Sequence, residues 1–259
     1  MTSDLDHRVE PHRFPAGCSF IAALLMSILV IATAALAAAP SASAADNGVA
    51  LSNEVTITRW ASAWKRAPIR AEPVSTSRKI GKLRYSTTDG EPEVYLVQRR
   101  YSTSRATWLK IRVPDPPNET TGWVREGDLE ELTTVRTQLV IDKSSLRATL
   151  YRKGRRVFSA PVGIGAEATP TPEGKFWIRE GLRIPSGGGA YGVYAFGTSA
   201  FSSIDDWPGA GPPTVGIHGT NEPGLIPGRP SHGCIRMRNG DISRLRRLMP
   251  VGTPLWIKS

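Results

Sequence analysis

Residues 217–237 have the sequence IHGTNEPGLIPGRPSHGCIRM, and they hold the rarest reactive side chains of the protein. After residue 45 the chain has two histidines, His218 and His232, and one cysteine, Cys234, and all three lie inside this stretch. A thiol needs a base or a positive neighbour to form a thiolate at neutral pH, and an imidazole supplies both. The stretch therefore predicts a cysteine–histidine site.

Either histidine has the chemistry of a base, and spacing favours His218. His232 is two residues before Cys234, and a neighbour that close rarely makes a good nucleophile-to-base hydrogen bond. His218 ends a strand-like segment and can approach the thiol from an adjacent strand. Glu222 is the only acid close in sequence, so a backbone carbonyl is the expected orienting group for the base. Gly233 permits a tight turn whose successive N–H groups could stabilise an oxyanion.

The same three side chains allow two other interpretations. They are metal-ligand types, and three ligands would suffice for an open catalytic zinc site, although no further histidine or cysteine after residue 45 could close a structural one. The second alternative is that Cys234 is an inert, buried thiol, since unpaired cysteines are among the most buried residues. We expect no metal and no cofactor, because nucleophilic thiol chemistry requires neither.

The N-terminal residues 1–45 have the order of an export signal. Two arginines precede an apolar run over residues 20–39, and Ala42 and Ala44 stand in the −3 and −1 positions of a cleavage site. The apolar run is also long enough to span a bilayer, so the segment is predicted to be either a signal peptide or an uncleaved membrane anchor. Both interpretations predict an exported protein, in the cell wall or periplasm.

Charge indicates which partners an exported chain could meet. The whole sequence carries a formal net charge of +10. Export argues against nucleic acid, so the expected polyanions are cell-wall polymers and lipid headgroups. A basic surface that serves only solubility is the plainer alternative. Membrane contact is expected only if the N-terminal segment stays uncleaved.

Residues 46–133 form a first block of short alternating segments separated by turn-forming residues. Its clearest strand patterns are EVYLVQ (93–98), TWLKIRV (107–113) and the start of GWVREGDLEEL (122–132). Many short strands without a long helical period favour a small barrel. TWLKIRV followed by TGWVREGDL resembles the end of a bacterial SH3-like domain. That resemblance implies a wall-targeting or spacer module rather than a catalyst.

Residues 134–259 form a second block that is also mainly β. The predicted strands are TQLVID (137–142), SLRATLYRKG (145–154), RRVFSAPVGIG (155–165) and TPLWI (253–257). Between them, residues 182–213 are rich in glycine yet contain five aromatic residues, which favours a long functional loop or a disordered segment.

A short helix is predicted near the C terminus, over DISRLRRLM (241–249). Ile242, Leu245 and Met249 fall on one face of it. Asp241 is predicted to cap its start, and Pro250 to end it.

The cysteine–histidine stretch resembles the L,D-transpeptidase catalytic domain of the YkuD type, whose pattern is His-Gly followed by Ser-His-Gly-Cys-x-Arg. The matching residues are His218, Gly219, Ser231, His232, Gly233, Cys234 and Arg236, with Thr220 and Asn221 also similar. The upstream strands and TPTPEGKF (169–176) match the family's earlier segment, so the resemblance covers about residues 137–257.

This resemblance implies a β-sandwich-like catalytic domain. Together with the first block and the predicted helix, it gives a mainly β protein in which a small SH3-like barrel is followed by a β-sandwich-like L,D-transpeptidase catalytic domain with a short C-terminal helix. It implies that Cys234 is the nucleophile, that His218 is the base and that the Gly219 carbonyl orients it. Ser231, His232 and Gly233 would support the site and its oxyanion hole, whereas Arg236 and Asn221 would lie near the bound substrate. The implied substrate is the peptidoglycan stem peptide, which would form a thioester with the enzyme and pass to an amine of another stem.

The acceptor is not fixed by these residues. Water or a D-amino acid would give a carboxypeptidase or exchange activity, and an amine on a protein would attach that protein to the wall. A non-catalytic wall-binding protein is a further alternative, although the intact cysteine–histidine pair argues against it.

Overall fold

Two β-sheets and one α-helix form the described part of the chain, so the predicted mainly β fold is confirmed. The computed structural model describes residues 48–185, 189–202 and 212–259. The predicted signal peptide or anchor, residues 1–45, lies outside the described residues. Within the described residues, no helix is long and apolar enough to cross a membrane.

The first sheet is antiparallel and has the strand order β4-β3-β7-β6-β5-β2-β8, with β1 pairing to β5. Its strands are β1 (Val49–Ala50), β2 (Thr58–Ala61), β3 (Pro68–Arg70), β4 (Lys79–Lys82), β5 (Tyr95–Ser102), β6 (Thr107–Arg112), β7 (Thr121–Arg125) and β8 (Thr133–Val135). A single 3-10 turn, Glu126–Asp128, is described between β7 and β8. Alternate residues of these strands, such as Leu109 and Ile111, enclose a core of their own. The predicted boundary between residues 133 and 134 falls inside β8.

The second sheet has the order β11-β10-β9-β18-β13-β14-β15-β17-β12-β16. Its strands are β9 (Thr137–Asp142), β10 (Arg147–Arg152), β11 (Arg155–Pro161), β12 (Gly163–Gly165), β13 (Gly174–Arg183), β14 (Tyr194–Phe201), β15 (Thr214–His218), β16 (Gly228–Ser231), β17 (Ile235–Arg236) and β18 (Pro254–Lys258). Short 3-10 turns cover Gly189–Tyr191 and Pro223–Leu225. In β9 every second residue is buried, which is the period-two pattern that predicted this strand.

Strand β13 joins the two halves of the second sheet. Its first part pairs with β18, and its part from Ile178 onward pairs with β14. Both halves contribute to one apolar core, which includes Leu139, Phe176, Phe196 and Ile235. The two halves therefore share one core, as in a sandwich. The pairing of β15 with β17 places the ends of these strands side by side.

The helix, α1 (Asn239–Leu248), buries Ile242 and Leu245, and Met249 follows it into the core, as its apolar spacing predicts. Asp241 does not cap the helix, contrary to the prediction. The cap position is Arg238, and Asp241 lies in the first turn, where a carboxylate still interacts favourably with the helix dipole. The helix begins at Asn239, two residues before the predicted stretch 241–249.

Residues 182–213 do not form one long loop, which corrects the sequence interpretation. Strand β13 runs on to Arg183, and β14 occupies Tyr194–Phe201. Two glycines in these strands make room for large side chains across the sheet: a Cβ at Gly181 would lie 2.2 Å from the Tyr194 hydroxyl, and one at Gly197 would lie 2.3 Å from a Glu180 oxygen. These glycines therefore serve close packing within strands. Residues 186–188 and 203–211 lie outside the described residues.

The two blocks share a third buried cluster. Val94 and Leu96 of the first block enclose Trp177 of the second, and the Trp177 indole N–H donates to the Val94 carbonyl at 2.8 Å. The described residues, 48–185, 189–202 and 212–259, accordingly belong to one compact unit.

Candidate active site

Two neighbouring parallel strands bring the cysteine and one histidine together. Strands β15 and β17 pair so that Ile217 lies opposite Ile235 and His218 opposite Arg236. Ile217 and Ile235 point into the core, which anchors both strands. His218 therefore stands at the end of β15, beside Cys234, the residue that leads into β17.

The Cys234 sulfur faces the backbone of β15. The Gly216 N–H donates to the sulfur at 3.4 Å. A Cβ added at Gly216 would lie 3.8 Å from that sulfur and 3.7 Å from Cδ2 of His218. The Cys234 thiol and the His218 imidazole thus both lie within 4 Å of one position beside Gly216. The Gly216 N–H that points at the sulfur favours the thiolate.

His218 is buried, and a backbone carbonyl fixes its ring. Nδ1 lies 2.7 Å from the Gly219 oxygen. Because a carbonyl oxygen can only accept, Nδ1 carries the proton and Nε2 is left as an acceptor. The ring of Tyr191 packs against the imidazole with centroids 4.8 Å apart. The contact that the resemblance implied between Gly219 and His218 is therefore present in the structure.

Burial moves the pKa values of the pair in opposite directions. It lowers the pKa of His218, although the hydrogen bond to Gly219 acts the other way and the Arg236 charge adds a small further lowering. It raises the pKa of Cys234, against the smaller lowering effects of the Gly216 N–H and of Arg236. Both shifts favour a neutral imidazole beside a neutral thiol. Such a pair requires the proton to move when the sulfur attacks.

The loop that carries Cys234 is closed by the Ser231 hydroxyl. This hydroxyl donates to the Cys234 carbonyl at 2.5 Å and accepts from the Gly233 N–H at 3.2 Å. Gly233 has φ +115°, a conformation that glycine adopts without strain. The His232 side chain, by contrast, is exposed. Ser231 and Gly233 therefore shape the loop, whereas the His232 imidazole is turned to solvent.

Arg236 lies next to the pair, on the rim of the site. Its Nη1 is 2.9 Å from Oε2 of Glu222, and its side chain is 17% exposed. Asn221 is exposed beside Glu222. The structure thus brings together His218 and Cys234 with Arg236 adjacent, and leaves the Asn221 side chain in solvent.

Two contributions to the site were missed by sequence reasoning. One is the Gly216 N–H on the sulfur, which depends on the β15–β17 register. The other is Asn239, whose Oδ1 accepts from the Thr220 N–H at 3.1 Å. A Cβ at Gly219 would lie 2.2 Å from that same oxygen, so Asn239 packs directly against the residue that orients His218. An asparagine at the start of a helix is common, and nothing in the sequence marked this one.

Metal-ligating side chains have no suitable grouping in the described ranges. No three His, Cys, Asp or Glu side chains among residues 48–185, 189–202 and 212–259 are arranged to hold a metal ion.

Comparison with known proteins gives a consistent result for this region. Residues 136–257 match the YkuD family, the L,D-transpeptidase catalytic domain. YkuD of Bacillus subtilis, named as an L,D-transpeptidase, is 32% identical over 124 residues, which are 48% of this chain and 67% of that protein. YkuD of Bacillus licheniformis, with the same name, is 33% identical over 120 residues, which are 46% of this chain and 64% of that protein. The chain thus spans about two thirds of the length of these relatives.

Among solved structures, a crystal structure of an Enterococcus faecium L,D-transpeptidase mutant aligns with a TM-score of 0.37 at 23% identity. The alignment covers 47% of this chain and 49% of that one. The sequence matches to the family and to its Bacillus members are the findings that identify the chain. It belongs to the L,D-transpeptidase family, through a catalytic domain over residues 136–257.

Proposed function

We propose that this protein is a peptidoglycan L,D-transpeptidase that cross-links stem peptides through a thioester on Cys234. The observation that carries the proposal is the position of His218, whose Nδ1 is held by the Gly219 carbonyl while its ring and the Cys234 sulfur border one point. That arrangement is a nucleophile, a base and an orienting group in the order that acyl transfer by a thiol requires.

The proposed reaction has two acyl-transfer steps. As the Cys234 sulfur attacks the carbonyl between the third residue of a stem tetrapeptide and its terminal D-Ala, Nε2 of His218 takes the thiol proton. The C–N bond then breaks, His218 returns the proton to the departing D-Ala amine, and a thioester remains on the sulfur. In the second step the side-chain amine of another stem attacks the thioester, loses a proton to His218, and displaces the sulfur, which regains that proton.

The resting site suits a base that acts during attack. Because burial raises the pKa of Cys234 and lowers that of His218, the pair is predominantly neutral before substrate arrives. A buried thiolate–imidazolium pair would cost free energy in such a site unless both charges were well hydrogen-bonded. The Gly216 N–H offers one such bond to the sulfur as negative charge develops on it.

The direct test is incubation of the purified protein with a disaccharide tetrapeptide, followed by mass analysis. We expect a cross-linked dimer together with free D-Ala. A tripeptide alone would show that water is the acceptor, and exchange of D-Ala for an added D-amino acid would show exchange activity. No product of any kind from a folded protein would contradict the proposal.

His218 provides a prediction that depends on pH. We expect the rate constant of acylation to rise with pH through a midpoint below 6.5, the ordinary value of an imidazole, and then to level off. The rate constant rises with pH because only the neutral imidazole accepts the thiol proton. The midpoint lies below 6.5 because burial keeps the imidazole neutral to lower pH. The measurement is the rate of adduct formation with a carbapenem, by intact-protein mass spectrometry, between pH 4.5 and 9.

Substitution of each histidine in turn shows which of the two is the base. His218→Ala should slow acylation by about 10²–10⁴-fold and remove the acid midpoint. His232→Ala should keep the midpoint and a measurable rate, since its imidazole is exposed and its backbone N–H survives. The reverse order of the two variants, or a wild-type rate that keeps climbing toward the raised pKa of the thiol, would overturn the assignment of His218.

The proposed activity requires a location outside the cytoplasm. The export pattern of residues 1–45 supports that location, through a cleaved signal peptide or a retained anchor. The first block, which resembles an SH3-like domain, is proposed to hold the enzyme at the wall. The net charge of +10 supports contact with anionic wall polymers.

A further inference from the structure

Thr171 is a buried residue of the second block to which the proposed reaction gives no role. Its side chain is 1% exposed. Its hydroxyl donates to the Gly233 carbonyl at 2.8 Å and accepts from the Gly165 N–H at 2.9 Å. A hydroxyl has one proton, and because an N–H already points at the oxygen, that proton is directed at Gly233. A side chain far away in the sequence thus holds the peptide group that precedes the nucleophile.

The peptide between Gly233 and Cys234 is planar and trans, so its carbonyl and its N–H point in opposite directions. Thr171 binds the carbonyl in the interior, and the Cys234 N–H consequently points to the other side of the peptide. Within the described ranges, this N–H donates to no backbone carbonyl. A fixed and unused amide next to the nucleophile is what an oxyanion-hole donor requires.

Gly165 shows that this contact is built into the fold. A Cβ at Gly165 would lie 2.2 Å from the Thr169 carbonyl oxygen and 2.6 Å from the Thr171 nitrogen. Only glycine lets β12 come that close to Thr171. Gly165 is also opposite Ser231 in the parallel pair β12–β16. The Thr171 hydroxyl therefore links β12, the strand that pairs with Ser231 of β16, to the peptide before Cys234.

We infer that Thr171 is a positioning residue, whose hydroxyl orients the Gly233–Cys234 peptide so that the Cys234 N–H stabilises the oxyanion formed at the attacked carbonyl. The inference rests on the proposed function, because attack at a carbonyl carbon is what creates this oxyanion. Without the hydroxyl, the Gly233 carbonyl loses its buried donor. The peptide then rotates toward another partner, and the N–H moves away from the position of the oxyanion.

The test compares two reactions of the same thiol in the full chain. A carbapenem acylates the sulfur through an oxyanion, whereas iodoacetamide alkylates it at a saturated carbon and forms none. We expect Thr171→Val to slow carbapenem acylation by about 10–100-fold. Alkylation by iodoacetamide should stay within about twofold of wild type, because the thiol and His218 are untouched. Thr171→Ser restores the hydroxyl and should recover most of the acylation rate.

Thr253 offers a matched control. It is fully buried, and its hydroxyl also donates to a carbonyl, that of Pro250 at 2.7 Å, and accepts from a second donor, the Thr137 hydroxyl at 2.7 Å. Thr253→Val therefore removes an equivalent pair of hydrogen bonds without touching the Gly233–Cys234 peptide or the Gly216 N–H that faces the sulfur. It should leave both rates near wild type. Thermal melts of each variant verify folding, and Thr171→Ala provides the same comparison if the valine variant does not fold.

The outcomes separate this inference from the proposed function. Wild-type acylation by Thr171→Val, or a parallel fall of acylation and alkylation, would overturn the role of Thr171. An equal loss in Thr253→Val would do the same. A wild-type protein that forms the carbapenem adduct but releases no D-Ala from a tetrapeptide would refute the proposed function, while the comparison of Thr171 variants would still decide the positioning role.

Discussion

Cys234→Ser is expected to lower turnover of a stem tetrapeptide by at least about 10³-fold while leaving the fold intact. The two side chains are close in size, so the Gly216 N–H and the surrounding packing survive. A hydroxyl ionises far less readily than a thiol, and burial already raises the pKa of the thiol at this position. His218 would then have to take a proton from a hydroxyl, whose pKa is much higher than that of a thiol. Residual activity above a tenth of wild type would place the nucleophile elsewhere.

The same variant distinguishes a thiol enzyme from a zinc enzyme. A carbapenem carries a strained acyl group that a thiolate can attack, so intact-protein mass spectrometry should show one stoichiometric adduct on the wild-type protein. We expect the adduct to disappear in Cys234→Ser and to be unaffected by prior treatment with a chelator. A zinc site would behave in the opposite way, because its activated water depends on the metal and forms no lasting adduct. Activity that is lost with chelator and restored by zinc, without an adduct, would refute the nucleophile.

The predictions that succeeded rest on periodicity. TQLVID alternates buried and half-buried residues, and the structure has β9 over Thr137–Asp142, with the predicted bounds. The helix face formed by Ile242, Leu245 and Met249 is equally visible from its spacing. The sequence therefore predicts a strand or helix correctly where the burial of its residues follows a simple period.

The predictions that failed involve contacts across the sheets. Glycines normally indicate loops, yet Gly181 and Gly197 lie in strands. These two strand positions require glycine because Tyr194 and Glu180 occupy the space that a larger side chain would need. A single sequence does not contain that pairing, because it depends on the register of β13 and β14. The Gly216 N–H on the Cys234 sulfur was missed for the same reason, since it depends on the register of β15 and β17. Asn239 was missed because its contact follows from where α1 starts.

The contacts between the two blocks could not be predicted from the sequence, and the division into separate domains at residues 133 and 134 remains a prediction. Glu93 of the first block is fully buried and pairs with Arg179 of the second, with Nε 2.8 Å from one carboxylate oxygen and Nη2 2.5 Å from the other. Arg84 adds a longer contact to the same carboxylate, at 3.3 Å. The Trp177 indole lies in the cluster beside this pair. We expect a buried ion pair with two hydrogen bonds to couple the folding of both blocks.

Glu93→Gln in the full chain is therefore expected to lower the free energy of unfolding by about 3–5 kcal/mol. The substitution keeps the shape of the side chain but leaves the buried Arg179 guanidinium without the negative charge of the carboxylate to which it is hydrogen-bonded. Because that loss is comparable to the whole stability of many domains, about 5–15 kcal/mol, the melting temperature should fall sharply. Urea titration followed by tryptophan fluorescence measures the change, since Trp177 lies at the same junction of the blocks.

Glu126→Gln is the matched control for this substitution. Glu126 also pairs with an arginine, Arg100, but both side chains are about two-fifths exposed, at 39% and 43%. Exposed pairs of this kind contribute about 0–1 kcal/mol, because water screens the charges. We expect this control to unfold almost as the wild type does, and Glu93→Gln to unfold in one transition at lower urea. Two separate transitions in the wild-type protein, with Glu93→Gln indistinguishable from it, would mean that the blocks fold independently and that the boundary at residues 133 and 134 is a true domain boundary.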